Sequence, residues 1–465
     1  MREVLDSLMR TRGGLALRQP VMRLARNPLL QRVVRNSGYL FSATTVAMAL
    51  SMLQGALAAR LLGVQGLGLL GVITEFSSNL NRLTSFRMGE LVVTYVGKFR
   101  AEQADAKAWT TFKVAGLAEI GSSLLAFGLI ELLAPLGARF IGHDPASSIW
   151  FRIYGLTVLA NLMAESSTGL LQYYDRFRLM AGITVGQSVL TLGLMVAAFA
   201  FKAGLGGVVL AYLAGKIAWA LATTLAALAL ARRMWGAGWW RAPFSLIADR
   251  WREMARFALS TNITTTLTLI TRDSELLWLG AFTTPVQVGY YKIAKALSNI
   301  LLTPVNPLIS TTYREVARET AEKRWANVRY LLRSGSLISA AWTVPAGLGL
   351  LVLGPWIITL LYTSAFVPAY PSLVLLILGV AAVNVLYWNR SVLLALGRPD
   401  FPTKVYSVAA LLKMAGTVVL VPVLGAIGMA GLLSSFFLGT SMVLVWKTAA
   451  EIRRASGEPA PSAGG

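Results

Sequence analysis

Long apolar runs, separated by short polar or basic turns, constrain this chain more than any other feature. The hydrocarbon core of a bilayer is about 30 Å thick and takes about 20 apolar residues per helix. Runs of that length recur from Gly38 to Trp446. In lipid every backbone N–H and C=O needs a partner within the protein, which leaves helices or closed barrels. Barrel strands need only about 9–11 residues, so these runs read as helices. Twelve fit, at about 38–62, 67–96, 110–136, 149–173, 179–201, 207–231, 257–282, 288–312, 330–353, 372–396, 405–424 and 427–446. The second is long for one crossing and is expected to tilt or bend. The stretch 354–371 reads as a short outside re-entry or amphipathic turn.

Composition supports this. Of 465 residues 55% are hydrophobic and 14% charged, against about 25% charged in an ordinary soluble domain. The net charge of +22 would point to nucleic acid in a soluble protein. Here the charge sits in alternate turns. Lys98, Arg100 and Lys107, then Arg176 and Arg178, then the Arg- and Trp-rich connection 232–256, then Arg314 to Arg329, then Arg398 and Lys404 are basic, while the intervening turns hold little beyond Arg60, Arg139 and Lys202. Positive charge marks the cytoplasmic side, so both termini are placed inside and no nucleic-acid partner is expected. Cysteine is absent and His143 is the single histidine, so no thiolate or multi-histidine metal site and no cofactor is expected.

The halves repeat. Gly68 and Gly289 stand 221 positions apart, as do Gly204 and Gly425, and Gly207 and Gly428. All three pairs fall at turns on one side. They predict an all-α polytopic membrane protein whose two six-helix lobes are related by a parallel repeat, with the substrate path between them. The divisions are a basic interfacial head (1–35), an N-lobe (36–231), a cytoplasmic linker (232–256), a C-lobe (257–446) and a cytoplasmic tail (447–465).

Charges inside the spans mark the candidate site. A charge at the bilayer centre costs roughly 2.5–3.5 kcal/mol, so such groups face a bundle interior or a watery cavity. The deepest concentration is 261–306. Thr261, Thr265, Thr268, Arg272 and Glu275 share one helical face, and Lys292, Lys295, Asn299 and Asn306 share another. Substrate and cavity candidates are Arg82, Arg87, Arg272, Lys292, Lys295, Arg390, Asn79 and Asn299; coupling candidates are Glu75, Asp273 and Glu275. Lys113, Lys216 and Lys413 read as residues snorkelling at span ends. Glu275 and Lys295 fall at equal depth on antiparallel spans and are expected to pair, or Glu275 to pair with Arg272. Pro304 and Pro307 predict a bent or unwound hinge, since each removes a donor and clashes with a preceding carbonyl.

Three motifs carry a family resemblance. The chain from Ala58 to Leu69 (AARLLGVQGLGL) looks like a turn after a first span. Asp273, Leu276 to Gly280 (LLWLG) and Val288 to Ala294 (VGYYKIA) look like a seventh-to-eighth span junction. Leu393 to Pro399 (LLALGRP) is similar to the end of a tenth span. Together they resemble the polysaccharide or oligosaccharide flippases, the Wzx-type branch of the multidrug/oligosaccharidyl-lipid/polysaccharide exporter superfamily. The resemblance implies a non-enzymatic, alternating-access transporter of the bacterial inner membrane. It would move undecaprenyl-pyrophosphate-linked O-antigen or exopolysaccharide units from the inner to the outer leaflet. Its partners would be the lipid-linked anionic glycan, membrane lipids and polysaccharide polymerase or assembly proteins. The alternatives within the superfamily are a cation-coupled multidrug exporter, for which the deep charges lean too basic, and a lipid-linked peptidoglycan-precursor flippase, which has more spans than this chain has room for. A membrane polymerase or ligase would need a large outside loop, and no span junction here provides one.

Overall fold

The structure, a computed structural model, describes residues 28–269, 273–398 and 400–456. Most of the basic head, all of Arg272 and the last nine residues lie outside them. Fifteen α-helices make up the described fold: α1 Pro28–Thr84, α2 Met88–Ala101, α3 Asp105–Phe140, α4 Ser148–Ala160, α5 Ala164–Tyr173, α6 Phe177–Ala200, α7 Gly204–Trp235, α8 Trp251–Thr268, α9 Glu275–Phe282, α10 Pro285–Ser298, α11 Asn306–Ala321, α12 Trp325–Leu361, α13 Tyr370–Val385, α14 Asn389–Ala395 and α15 Asp400–Ser456. Seven helical segments among the described residues are long and apolar enough to cross a membrane by themselves. The twelve crossings arise because the longest helices cross twice and several crossings are made of two pieces.

α15 has 57 residues, about 85 Å at 1.5 Å per residue, far more than one crossing needs. It folds back at Gly425, whose φ of 55° lies in the left-handed region that glycine enters freely. Tyr406 and Phe436 stack with ring centroids 6.1 Å apart, impossible along a straight helix. α1 breaks in the same way at Gly63, and the eighth crossing touches it on both sides of that break, Thr303 at Met48 and Lys292 of α10 at Gly71.

Helices gain no hydrophobic drive toward each other in lipid, so close packing through small residues matters more. The central seam depends on this. A Cβ on Gly68 would collide with the carbonyl oxygen of Pro285, and one on Gly289 with that of Val64. Val64 and Pro285 are themselves 221 positions apart, so the contact is reciprocal, as a two-fold relation between lobes requires. The same end carries two further bridges between lobes. Arg60 donates to the carbonyls of Leu360 and, at 3.1 Å, Leu361. The His143 ring Nε2 lies 2.8 Å from the Gly280 carbonyl.

Four expectations need correcting. The seventh crossing is not one helix: α8 stops at Thr268 and α9 starts at Glu275, so Thr261 to Glu275 do not share a continuous face. α12 runs on to Leu361, and only Ser364–Ala369 forms a separate 3-10 turn, so 354–371 is mostly helix. The fourth and tenth crossings also break, at 161–163 and 386–388. The bend expected in the second crossing is a full interruption at 85–87.

The fourth crossing shows how such a break is satisfied. The first N–H groups of a helix have no internal partner. At the start of α5, the Glu119 carboxylate on α3 accepts from the backbone N–H of Glu165 at 2.7 Å and of Ser166 at 2.9 Å, and from the Ser166 hydroxyl at 2.7 Å. Glu165 in turn accepts from Ser85, at the break of the second crossing. Glu119 and Glu165 thus cap and tie broken helices.

A charge cluster at the lobe seam

Glu275 stands at the first position of α9, where the helix dipole favours a carboxylate. It is 2% exposed. Its Oε2 accepts from Lys295 Nζ at 2.9 Å and from Tyr291 Oη at 2.6 Å, and its Oε1 accepts from Lys413 Nζ at 2.5 Å. One carboxylate therefore ties α9, α10 and α15 together. A buried charge is tolerable only when paired and hydrogen-bonded, and Glu275 has three donors. The Lys295 pairing matches the equal depth read from the sequence. Lys413 does not snorkel: it is buried at 7% exposure and is the second counter-ion. A cavity of about 30 Å³ beside the pair is lined by Trp278, Met414, Thr417 and Met429.

Around this cage lies a wider polar recess. Arg82 on α1 pairs with Asp273 across the seam at 3.1 Å. Glu75, two turns before Arg82, lies within Coulombic range of Lys292, Lys295, Arg82 and Asp273. Lys292 forms no ion pair among the described residues; its side chain lies against Gly71. Lys216 on α7 feels the charge of Arg82 and, although set among surrounding helices, keeps an exposed side chain. That combination describes the wall of a recess, so Lys216 also departs from the snorkelling expectation. Tyr154 and Tyr212 add hydroxyls near Glu75 and Tyr362. These tyrosines escaped the sequence reading, which named Lys413 but placed it at a span end. Tyr291 alone left a signal, at i and i+4 with Lys295 on one face of α10.

The remaining candidates are scattered. Arg87 pairs with Glu90 at the start of α2. Arg390 is exposed at the first turn of α14 and forms no ion pair among the described residues. Asn79 is buried with neither side-chain amide atom hydrogen-bonded. Asn299 is exposed in the 3-10 turn that follows α10. Arg272 lies outside the described residues. Lys113 donates to the Ala242 carbonyl at 2.9 Å, with its ammonium 4.0 Å above the Phe244 ring, as expected near a span end. Between Ser298 and Asn306 the eighth crossing unwinds. Pro304 lies in the gap and Pro307 in the first turn of α11.

Twelve crossings in two lobes, with a polar recess at their seam, define a membrane transporter fold. The chain belongs to the polysaccharide biosynthesis protein family, whose sequence pattern matches residues 33–313. It is 24% identical over 347 residues to the inner membrane protein YghQ of Escherichia coli (strain K12), covering 73% of this chain and 94% of that one. Among solved structures it resembles an inward-facing multidrug resistance MATE family transporter of the MOP superfamily, with TM-score 0.69 and 12% identity over 89% of this chain and 96% of that one. It also resembles the lipid II flippase MurJ in an inward closed conformation, with TM-score 0.67 and 14% identity over 90% of each.

Proposed function

We propose that this protein flips an undecaprenyl-pyrophosphate-linked oligosaccharide from the inner to the outer leaflet of the bacterial cytoplasmic membrane. The observation that carries the reading is the charge of the seam. Arg82, Lys216, Lys292, Lys295 and Lys413 stand against Glu75, Asp273 and Glu275, a net of two positive charges contributed by both lobes. A pyrophosphate is a strongly hydrated anion. Guanidinium and ammonium donors replace its lost water with charge-assisted hydrogen bonds, and Arg grips phosphate oxygens in pairs. A site for cationic drugs would carry the opposite balance.

Family membership in polysaccharide biosynthesis supports a glycan cargo, and the likeness to a lipid II flippase supports a lipid carrier. The inner-membrane relative and the alternating loop charge support a cytoplasmic-membrane location with both termini inside. The lobes would exchange access by opening and closing the Gly68–Pro285 seam. Lys292, which like Lys216 has no partner carboxylate at hydrogen-bonding distance among the described residues and which lies within Coulombic range of Glu75 beside Arg82, is the first contact for the pyrophosphate, and Arg82 the second, released from Asp273. Arg82→Ala with Lys292→Ala is expected to abolish surface polysaccharide while leaving normal amounts of protein in the membrane. Full export by that variant would overturn the assignment.

A further inference from the structure

On the outer flank of the N-lobe, away from the seam, α6 and α7 diverge to leave a groove of about 810 Å³. Its walls are apolar: Leu179, Gly182 and Ile183 from α6, and Ala226, Ala229 and Leu230 from α7. Its mouth is cationic. Arg176 and Arg178 come from the start of α6 and Arg233 from the last turn of α7, with Asp175 as the acidic group in the lining, a net of two positive charges. The three arginines are exposed, and none forms an ion pair among the described residues.

The depth of that mouth is marked independently. Trp235 donates to the Tyr174 hydroxyl at 2.9 Å, and Trp239 packs on Trp235 with centroids 6.0 Å apart. Tyr and Trp gather at the headgroup level of a bilayer. The arginines thus stand where lipid phosphates lie, and the apolar groove runs from them toward the hydrocarbon. Both flanking helices turn large apolar side chains outward, among them Val189, Val196, Leu221 and Leu225, so the groove opens to lipid. It shares no lining residue with the seam recess.

We propose that this groove is a specific site for one acidic glycerophospholipid of the surrounding leaflet. Its phosphate and headgroup would be held by Arg176, Arg178 and Arg233, and one acyl chain would lie between α6 and α7. The positive mouth selects against a zwitterionic headgroup, whose choline would meet the same arginines. A general basic belt would attract acidic lipid diffusely; this arrangement predicts one saturable molecule.

The test is native mass spectrometry of the full chain in detergent, titrated with phosphatidylglycerol or phosphatidylcholine. One tightly held phosphatidylglycerol is expected, retained roughly ten-fold over phosphatidylcholine, the ratio that about 1.4 kcal/mol produces. Arg176→Ala, Arg178→Ala and Arg233→Ala together should bring that preference to about one. Gly182→Leu should displace the lipid with every charge kept, since a Cβ at Gly182 meets only open space; it also covers the case in which the triple variant fails to fold. Equal retention of the two lipids by the native chain, or undiminished phosphatidylglycerol binding in Gly182→Leu, would overturn the proposal.

Discussion

Replacing Glu275 with Gln leaves the side chain's shape intact and removes the one charge shared by Lys295 and Lys413. Lys413 keeps only 6% of its side chain accessible, while Lys295 keeps 27%. The cost should therefore come mostly from Lys413. Stripping one partner from a buried pair costs about 3–5 kcal/mol, because an uncompensated charge remains. The converse variant, Lys413→Leu, leaves Glu275 with Lys295 and Tyr291 and should cost less, about 1–3 kcal/mol. Combining the two removes both buried charges. The double variant should be more stable than Glu275→Gln alone, with a coupling of about 0.5–3 kcal/mol between the sites. Thermal unfolding of the purified protein, followed by tryptophan fluorescence, gives the order: native highest, Glu275→Gln lowest, double variant between them. Additive shifts in the cycle, or a Glu275→Gln protein as stable as the native one, would refute the reasoning.

Three other outcomes follow from the geometry. Gly68→Val should force the seam apart; because the chain has no cysteine, Val288→Cys at the buried seam can report this by reacting with maleimide several-fold faster in the Gly68→Val background, and an unchanged rate would place the lobes' contact elsewhere. Pro304→Ala with Pro307→Ala should let the eighth crossing rewind and stop export with the protein still in the membrane; unchanged export would leave the break a static kink. In the turn between α11 and α12, Arg324 and Asn327 donate to Glu319 at 2.7–2.8 Å and hold its carboxyl below the usual range. That contribution is present above the unfolded value of about 4.3 and lost as pH falls through the lower folded value, so pepsin cleavage near 319–327, taken relative to cleavage of an unstructured peptide at the same pH, should rise as pH drops below about 4, and in Glu319→Gln that ratio should not change with pH if the argument holds.

How much of this was legible follows from where each cause resides. Hydrocarbon thickness acts on any run of about 20 residues, so the crossings could be read one by one. The glycine repeat could be read because a duplicated lobe repeats its turns; Gly204 and Gly425 do share left-handed φ values of 59° and 55°. The breaks could not be read so fully. The eighth is written in Pro304 and Pro307, but the fourth, at 161–163, contains neither proline nor glycine. It exists because Glu119, on another crossing, satisfies the N–H groups that the interruption frees. Lys413 was misplaced for the same reason: its depth depends on where α15 folds back, and its partner lies 138 positions away.

The repeat also separates what the fold needs from what the charge cluster adds. Glu275 corresponds, 221 positions earlier, to Gln54. Gln54 is buried at 3% exposure, and its Nε2 donates to the Ser188 carbonyl on α6 at 2.9 Å. α6 is the fifth crossing, and Lys413 lies on the eleventh, its repeat mate. The N-lobe thus closes the same corner, between the same two crossings, with a neutral amide and a backbone carbonyl. Leu192 stands where the C-lobe has Lys413, Leu70 where it has Tyr291, and Thr74 where it has Lys295. An architecture that closes this corner without ions in one lobe does not require them in the other. The neutral pair of Glu275→Gln with Lys413→Leu copies the N-lobe arrangement, which is why it should fold. The three charges of the C-lobe are then held at a desolvation cost that the fold itself does not demand, and the proposed anionic cargo supplies a use for them.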